Sequence, residues 1–437
     1  MNLVATKPTF PTYPAYKESG VEWLGEIPEH WEAVRMRFLF RDVSVKNKPE
    51  EKLLSVTQDK GVIPRTWVKN RMVMPSGSLE SFKFIQKGDF AISLRSFEGG
   101  LEYCHHDGII SPAYTVLKKK NGLIDIFYNY LFKSFSFISE IQTSVVGIRE
   151  GKNISYPELS YSLLPIPSPS EQTAIANFLD AKTTKIDQAI AQKEKMIALL
   201  KERKQIVIQN AVTKGLDPNV KMKDSGVEWI GEIPEYWEVK KLFGICRFVR
   251  GNSSFSKDEL LSNGEYVALQ YGKTYKVNGI DENYEFYVNN EFYKNSQIVN
   301  YGDVIFISTS ETIEDLGHSV FYKRRDFGLL GGEQISLKPK SDIINPNYLY
   351  FSTKVFSKEL RKYATGIKVF RFNVNDLKTI YTPVPSKHEQ KIIIQHIESK
   401  SKKIDQAIAL QHTQIKKLKE YKATLIDNAV TGKLKVN

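Results

Sequence analysis

The sequence predicts a mixed α/β (α+β) protein in which two related domains, set about a pseudo-twofold axis, are joined by two long helices that pair antiparallel as a coiled coil. Three observations in its 437 residues predict this. A fourteen-residue segment, SGVEWLGEIPEHWE at 19–32, returns as SGVEWIGEIPEYWE at 225–238, with only Leu24 and His30 changed to Ile230 and Tyr236. A second set of markers recurs downstream: PIPSPSEQ at 165–172 and PVPSKHEQ at 383–390, KIDQAIA at 185–191 and 403–409, NAVT at 210–213 and 428–431. Between the markers the halves diverge, so a duplicated frame encloses two different middles.

The chain begins MNLVATKPTFPTYPAYK, with three prolines and no apolar stretch, and nowhere do eighteen apolar residues run together. The expectation is a cytoplasmic protein with no membrane partner. Its length suits two or three domains. Lys and Arg number 62 against 50 Asp and Glu, a formal charge of +12, which favours a polyanionic partner, nucleic acid ahead of an acidic membrane. Cys104 and Cys246 stand in unrelated contexts, so neither a disulfide framework nor a zinc spacing is present and a reducing compartment fits.

In chain order the elements are a first domain over 1–163, a helix over 164–216, a second domain over 217–381 and a helix over 382–437. The opening motif repeats at an offset of 206 and the later markers at 218, which makes the second middle twelve residues longer. Each helix has a start signal. Ser168-Pro-Ser-Glu171 and Ser386-Lys-His-Glu389 fit a capping box, and the prolines at 165, 167, 383 and 385 keep the preceding chain extended.

Beyond each start, apolar residues fall at seven-residue spacing. Leu179, Ile186, Leu200 and Val207 form one seam position, with Ile190, Ile197 and Ala211 as the other. The second helix repeats them as Ile397, Ile404, Leu418 and Leu425, beside Ile408, Ile415 and Ala429. Some forty residues at ~1.5 Å each make a rod of roughly 60 Å, which pairs most economically with its own duplicate. Lys193 and Gln411 interrupt the seams at equivalent places, either as a polar layer that penalises wrong registers or as a partly exposed edge.

These residues resemble the DNA-specificity (S) subunit of Type I restriction-modification systems over essentially the whole chain. The resemblance rests on the doubled SGVEW(L/I)GEIPE(H/Y)WE, on the doubled proline-rich lead into EQ and a long helix, and on a variable domain before each helix. GDFAISLRSFEGG with GIISPAYTVLK, and GDVIFISTSETIEDLG, look like stretches common in such domains. The resemblance implies a non-catalytic phage-defence subunit whose two target recognition domains each read half of a bipartite, asymmetric target in double-stranded DNA. It implies that the paired helices space those domains and dock two M (adenine methyltransferase) subunits, which use S-adenosylmethionine, and that R (restriction) subunits, which use ATP and Mg, join them. No cofactor is then expected on this chain. The copied opening motif reads as scaffold, and Trp23, Trp31, Trp229 and Trp237 within it as core packing.

Base edges and phosphates are contacted by Arg, Lys, Asn, Gln, Ser and Thr. In the first domain such residues cluster beside turn signals at Arg65, Lys69 and Arg71, at Ser93, Arg95 and Ser96, and at Arg149, Lys152 and Asn153. In the second they are Arg250, Asn252, Ser253, Ser254 and Lys257, then Thr309 and Ser310, Lys323-Arg-Arg325, and Lys368, Arg371 and Asn373. GIREGKN at 147–153 and GIKVFRFN at 366–373 hold equivalent places and are the foremost candidates, though each residue is equally a base reader, a phosphate contact or a solvated charge.

Catalytic signatures are missing from the sequence. Asn345-Pro-Asn-Tyr348 comes nearest to an adenine methyltransferase motif but lacks its second proline, and a helix entry is the expected meaning. No GxxxxGK[ST] loop appears. Cys104-His-His106 places adjacent side chains on alternate faces of an extended segment, a poor chelate, so no catalytic or metal residue is assigned. The alternatives are a coiled-coil scaffold of another defence assembly without sequence readout and a methyltransferase whose site is unrecognisable.

Overall fold

The computed structural model describes residues 11–68, 77–146 and 153–436. They form two compact units that cut both long helices near their middles: one holds the chain up to Lys193 and from His412 onward, the other Glu194–Gln411. Each unit therefore contains one domain, part of the helix that follows it and part of the other helix.

In the first unit, strands Phe40–Val43, Thr115–Lys119, Phe90–Ile92 and Glu102–Tyr103 make a four-stranded antiparallel sheet in that order. One side of it carries an aromatic core in which Phe40 meets Phe90, Tyr128 and Phe132 with ring centroids 5.2–5.8 Å apart. A second core gathers Leu54, Val62, Ile85, Ala91, Cys104, Ile110 and Val116. The second unit, whose middle is twelve residues longer, carries two larger sheets. Cys246–Arg250, Gln334–Pro339, Val304–Ile307, Ser319–Tyr322 and Gly279–Ile280 form a five-stranded sheet, and Tyr287–Val288, Tyr266–Leu269, Gly328–Leu330 and Ile298–Val299 a further four-stranded one.

The long helices run Pro169–Lys214 and Lys387–Val430. The first begins where its capping box placed it: Ser168 Oγ accepts from Glu171 N (3.3 Å), and Glu171 Oε2 accepts from Ser168 N (3.3 Å). The second box is half made, since Glu389 N donates to Ser386 Oγ (3.2 Å) while the Glu389 carboxylate is engaged elsewhere. Within the first unit Asp187 pairs with Lys422 (2.7 Å) and Lys193 with Gln414 (2.5 Å), so one number rises as the other falls and the helices are antiparallel. The second unit repeats the sense, with Lys204 on Asp405 (2.7 Å) and Ile208, Ala211 and Val212 packed in one core with Ile393, Ile394 and Ile397.

Of the seam, Leu179, Ile186, Ile190, Ile197, Ile397, Ile415 and Leu425 are buried, while Leu200, Val207, Ile404, Ile408 and Leu418 are half-buried. Two helices without a third layer leave the flanks of their seam to solvent, which explains the graded burial. Lys193 and Gln411 are half-buried as well, and Lys193 Nζ donates to Gln414 Oε1 beside the interruption.

The copied segment is a latch. Trp31 Nε1 and His30 Nε2 bond Glu171 Oε1 at 3.3 and 2.9 Å; Trp237 Nε1 and Tyr236 OH donate to the two oxygens of Glu389 at 2.9 and 3.0 Å. His30 and Tyr236, one of the two differences between the copies, thus do the same work. The adjacent glutamine is equally committed. Gln172 Oε1 accepts from Ile124 N (2.9 Å) and its amide donates to Pro167 O (2.9 Å), and Gln390 repeats this with Asn345 N (2.7 Å) and Pro385 O (2.9 Å). Trp31 and Trp237 are buried, as core packing requires, and Trp23 and Trp229 are half-buried against Phe137 and the second unit's core.

The latch also receives the end of the other helix. Gly432, just past the second helix, sits against Pro28 and Trp31; Gly215, just past the first, sits against Pro234 and Trp237. Asp427 adds a buried tie in the first unit, accepting from Ser136 N and Ser136 Oγ, both at 2.9 Å.

Candidate nucleic-acid interface

In the second unit, three clusters far apart in sequence converge on the turn at 331–334. From one side, Gly251 N donates to Gln334 O (2.9 Å) and Ser253 bridges Gly331. From the other, Ser308 N and Oγ donate to Glu333 O at 3.1 and 2.9 Å, and Arg371 Nε lies 3.9 Å from Glu333 Oε2. Thr309–Ser310 pairs with Phe370–Arg371, Thr309 opposite Arg371. The 250–257 loop, the 309–310 strand and the 366–373 segment therefore share one surface.

Within that surface the side chains divide by exposure. Arg250, Asn252, Ser254, Lys257, Lys368, Arg371 and Asn373 are exposed, whereas Ser253, Thr309 and Ser310 are buried. The buried three support the surface: Ser310 Oγ accepts from Thr312 N (3.2 Å), and Thr309 O accepts from Tyr271 OH (3.3 Å). Asn373 has a structural task too. It caps the short helix Val374–Thr379, its Oδ1 accepting from Asn375 N (2.8 Å) and Asp376 N (3.4 Å). The matching cap in the first unit is Ser155, before Tyr156–Leu159. The structural counterpart of Asn373 is thus Ser155, and Asn153 corresponds to Arg371.

In the first unit the described candidates are more dispersed. Ser96 is fully buried; its hydroxyl accepts from Ser93 N (2.9 Å) and lies 3.3 Å from Ser93 Oγ, and this turn holds Arg95 outward. Arg65 is half-buried and donates to Ser55 Oγ (3.2 Å). Asn153 lies in a two-stranded ladder opposite Val146. Lys69, Arg71, Arg149 and Lys152 lie outside the described residues. Arg324, amid the basic run at 323–325, is buried in a bidentate pair with Asp326 (2.7 and 2.8 Å) and is structural.

Residue-type reasoning passed over the aromatics. Trp67, 60% exposed, lies edge-on to His106 beside Arg65. Arg37 stacks over Phe38 and Tyr161, 5.0 and 4.7 Å from the ring centroids, and Arg35 joins it over Tyr161 at 5.6 Å. Alternating cations and exposed rings were the available signal, since such pairs suit a partner with phosphates and flat bases.

Burial pushes both thiols, Cys104 and Cys246, up to about 12, which leaves them protonated at neutral pH. Glu102 is fully buried with Lys133 Nζ at 2.7 Å; burial outweighs that cation and pushes its carboxyl up to about 7. Among the described residues no group of three or more His, Cys, Asp or Glu could hold a metal ion, and no helix is long and apolar enough to cross a membrane. Asn345-Pro-Asn-Tyr348 is a helix entry, with Asn345 as the cap of Pro346–Phe356. At the second unit's surface the exposed candidate side chains are hydrogen-bond donors and cations.

Residues 234–420 match the family model of the type I restriction modification DNA specificity domain. Along 96% of its length the chain is 24% identical to the type I restriction enzyme MjaVIII specificity subunit of Methanocaldococcus jannaschii, covering 97% of that protein. It is 25% identical to the putative MjaX specificity subunit of the same organism, covering 96% of this chain and 98% of that one. Among solved structures, a chain from work on complex assembly and conformational transition of the type I R-M system aligns at a TM-score of 0.70 and 15% identity, over 93% of this chain and 99% of that one. The HsdS subunit from Thermoanaerobacter tengcongensis aligns at 0.51 and 15% identity, over 93% and 98%. The resemblance carried by the duplicated motifs therefore holds in sequence and in fold.

Proposed function

We propose that this chain, a relative of type I restriction-enzyme specificity subunits along nearly its whole length, is the non-catalytic subunit that chooses the DNA sequence for a restriction-modification complex. Each domain reads one half of a bipartite, asymmetric target. The observation that carries this reading is the contrast between frame and middle: the latch residues Trp31, Glu171 and Gln172 recur as Trp237, Glu389 and Gln390 with the same bonds, while the sequences between the repeated markers differ. Two different readers on one repeated mount is what an asymmetric split target requires.

Methylation of adenine and ATP-driven cleavage then belong to M and R partners, which bind S-adenosylmethionine, ATP and Mg. An exposed apolar stripe supports docking on the helices. Met196, Leu199 and Ile206 share one face of the first helix at spacings of three and seven. Unpartnered apolar side chains in a row are the usual mark of a protein interface.

The test is N6-methyladenine sequencing of genomic DNA from cells carrying this chain with its M subunit, against cells lacking only this chain. A split motif present only with the chain supports the reading. The same methylation in both, or none in either, overturns it.

A further inference from the structure

The segment 365–371 is a tight hairpin closed on itself. Thr365 N donates to Arg371 O (3.0 Å) and Arg371 N to Thr365 O (2.9 Å). Gly366, at φ +105°, lets the loop turn; a Cβ there would meet Val369 O at 2.1 Å, so no other residue fits. Behind the hairpin, Phe370–Arg371 is stitched to Thr309–Ser310, and Phe372 is sunk in the core of the second unit. The loop is thus short, braced and rooted.

At its tip stands an apolar side chain. Ile367 is 96% exposed, with Val369 39% exposed two residues on. A lone surface isoleucine is unremarkable. This one tips a braced hairpin within a strongly basic segment: from Ser357 to Arg371 there are five cations, Lys358, Arg361, Lys362, Lys368 and Arg371, and one carboxylate, Glu359. Cations that dock on phosphates bring an apolar tip against stacked bases, and a β-branched side chain, stiff at χ1, arrives with little freedom left to lose. The first half writes the same pattern in sequence, Gly147-Ile-Arg149 against Gly366-Ile-Lys368.

We propose that Ile367 is a wedge that inserts between neighbouring base pairs of the DNA half-site read by the second unit. The inference rests on the DNA-reading function above and adds a second kind of readout to it. Apolar wedges of this type unstack a step at a cost of a few kcal/mol, least at flexible pyrimidine–purine steps. Ile367 then favours TA or CA/TG at one position without itself forming a hydrogen bond to any base, while Lys368 holds the flanking backbone.

The experiment uses the full chain in complex with its M subunits. The probes are duplexes carrying the motif found by methylation sequencing, with 2-aminopurine moved through the second half-site at every position except the methylated adenine. Wild-type complex is expected to raise the fluorescence at one step. Ile367→Ala and Ile367→Ser should return that signal to the level of neighbouring positions and weaken cognate binding about tenfold, whereas Ile367→Val should keep it. At this exposure none of the variants should change the thermal melt. A split motif with no unstacked step, or a signal indifferent to Ile367→Ala, overturns the wedge and leaves the DNA-reading function standing. Absence of any chain-dependent motif overturns both.

Discussion

Gly432 should be among the least replaceable glycines in the chain. It follows the second long helix at φ +79°, and a Cβ there would lie 2.3 Å from Pro28 Cδ, 2.8 Å from Pro28 Cγ and 3.0 Å from Trp31 Cζ3. Two costs add in Gly432→Ala. The left-handed backbone costs an L-residue about 1–2 kcal/mol, and forcing a methyl into a proline and a tryptophan that are both buried costs about 1–3 kcal/mol more. Two other glycines separate these costs. Gly226 has φ +70° with nothing within 4 Å, so Gly226→Ala bears the backbone cost alone; Gly215 has φ +74° with Trp237 Cζ2 at 3.3 Å, so Gly215→Ala falls between. The assay is thermal or urea unfolding of the three variants, at about 2–4 °C of melting temperature for each kcal/mol. The expected order of loss is Gly432→Ala, then Gly215→Ala, then Gly226→Ala. Equal losses for Gly432→Ala and Gly226→Ala would refute the reasoning, because the latch would then be giving way to the methyl rather than gripping the helix end.

Three further outcomes are expected. Burial holds Glu102 protonated up to about 7 where an unfolded glutamate releases its proton near 4.5, so over that window the folded chain keeps a proton the unfolded chain has lost and this group's contribution falls as pH rises. Melting temperature of wild type relative to Glu102→Gln should therefore decline between pH 5 and 7.5, and a rise over the same range would contradict the assignment. If the interruption is a polar layer that sets register, replacing its bonded pair with Lys193→Leu and Gln414→Leu together should raise stability by about 1 kcal/mol or more and loosen register, read by calorimetry and by disulfide trapping of cysteines placed at Asp187 and Lys422; an unchanged melt with a single trapped register would favour the partly exposed edge. Arg371→Ala should weaken binding to the cognate site about tenfold or more beyond its effect on random duplex if Arg371 reads a base. Equal loss on both, with a salt dependence shallower by about one phosphate, makes it a backbone contact instead.

The sequence made the frame legible because the frame is built from local signals that were written twice. A serine three residues before a glutamate, a proline at the first helical position and apolar residues seven apart each act within one or two turns, so Ser168, Pro169 and the row from Leu179 to Val207 announce the helix without help from the fold. The site was harder, for a physical reason. A polar residue type says what a side chain can bond, not whether that capacity is already used. Ser96, Ser253, Thr309 and Ser310 are buried, and Asn373 caps a helix, yet their neighbours Arg95, Ser254 and Arg371 in the same short stretches stay exposed. The division depends on strands and turns brought from elsewhere in the chain, above all the turn at 331–334 that joins three clusters.

The same limit explains what the duplicated glutamates conceal. From sequence, Glu171 and Glu389 are alike as capping residues, and the exchange of His30 for Tyr236 looks neutral. In the structure each glutamate closes a bond that spans about 140 or 150 positions, to Trp31 or Trp237, and the exchanged residue donates to that same carboxylate. Histidine and tyrosine are interchangeable here because both reach with a polar edge on a flat ring, not because the position is tolerant. A neutral, apolar replacement such as His30→Leu would leave Glu171 one donor short, whereas His30→Tyr would recreate the arrangement the second unit already uses. The frame thus carries its own control: whatever one half accepts at a latch position, the other half has already tested on the same bonds.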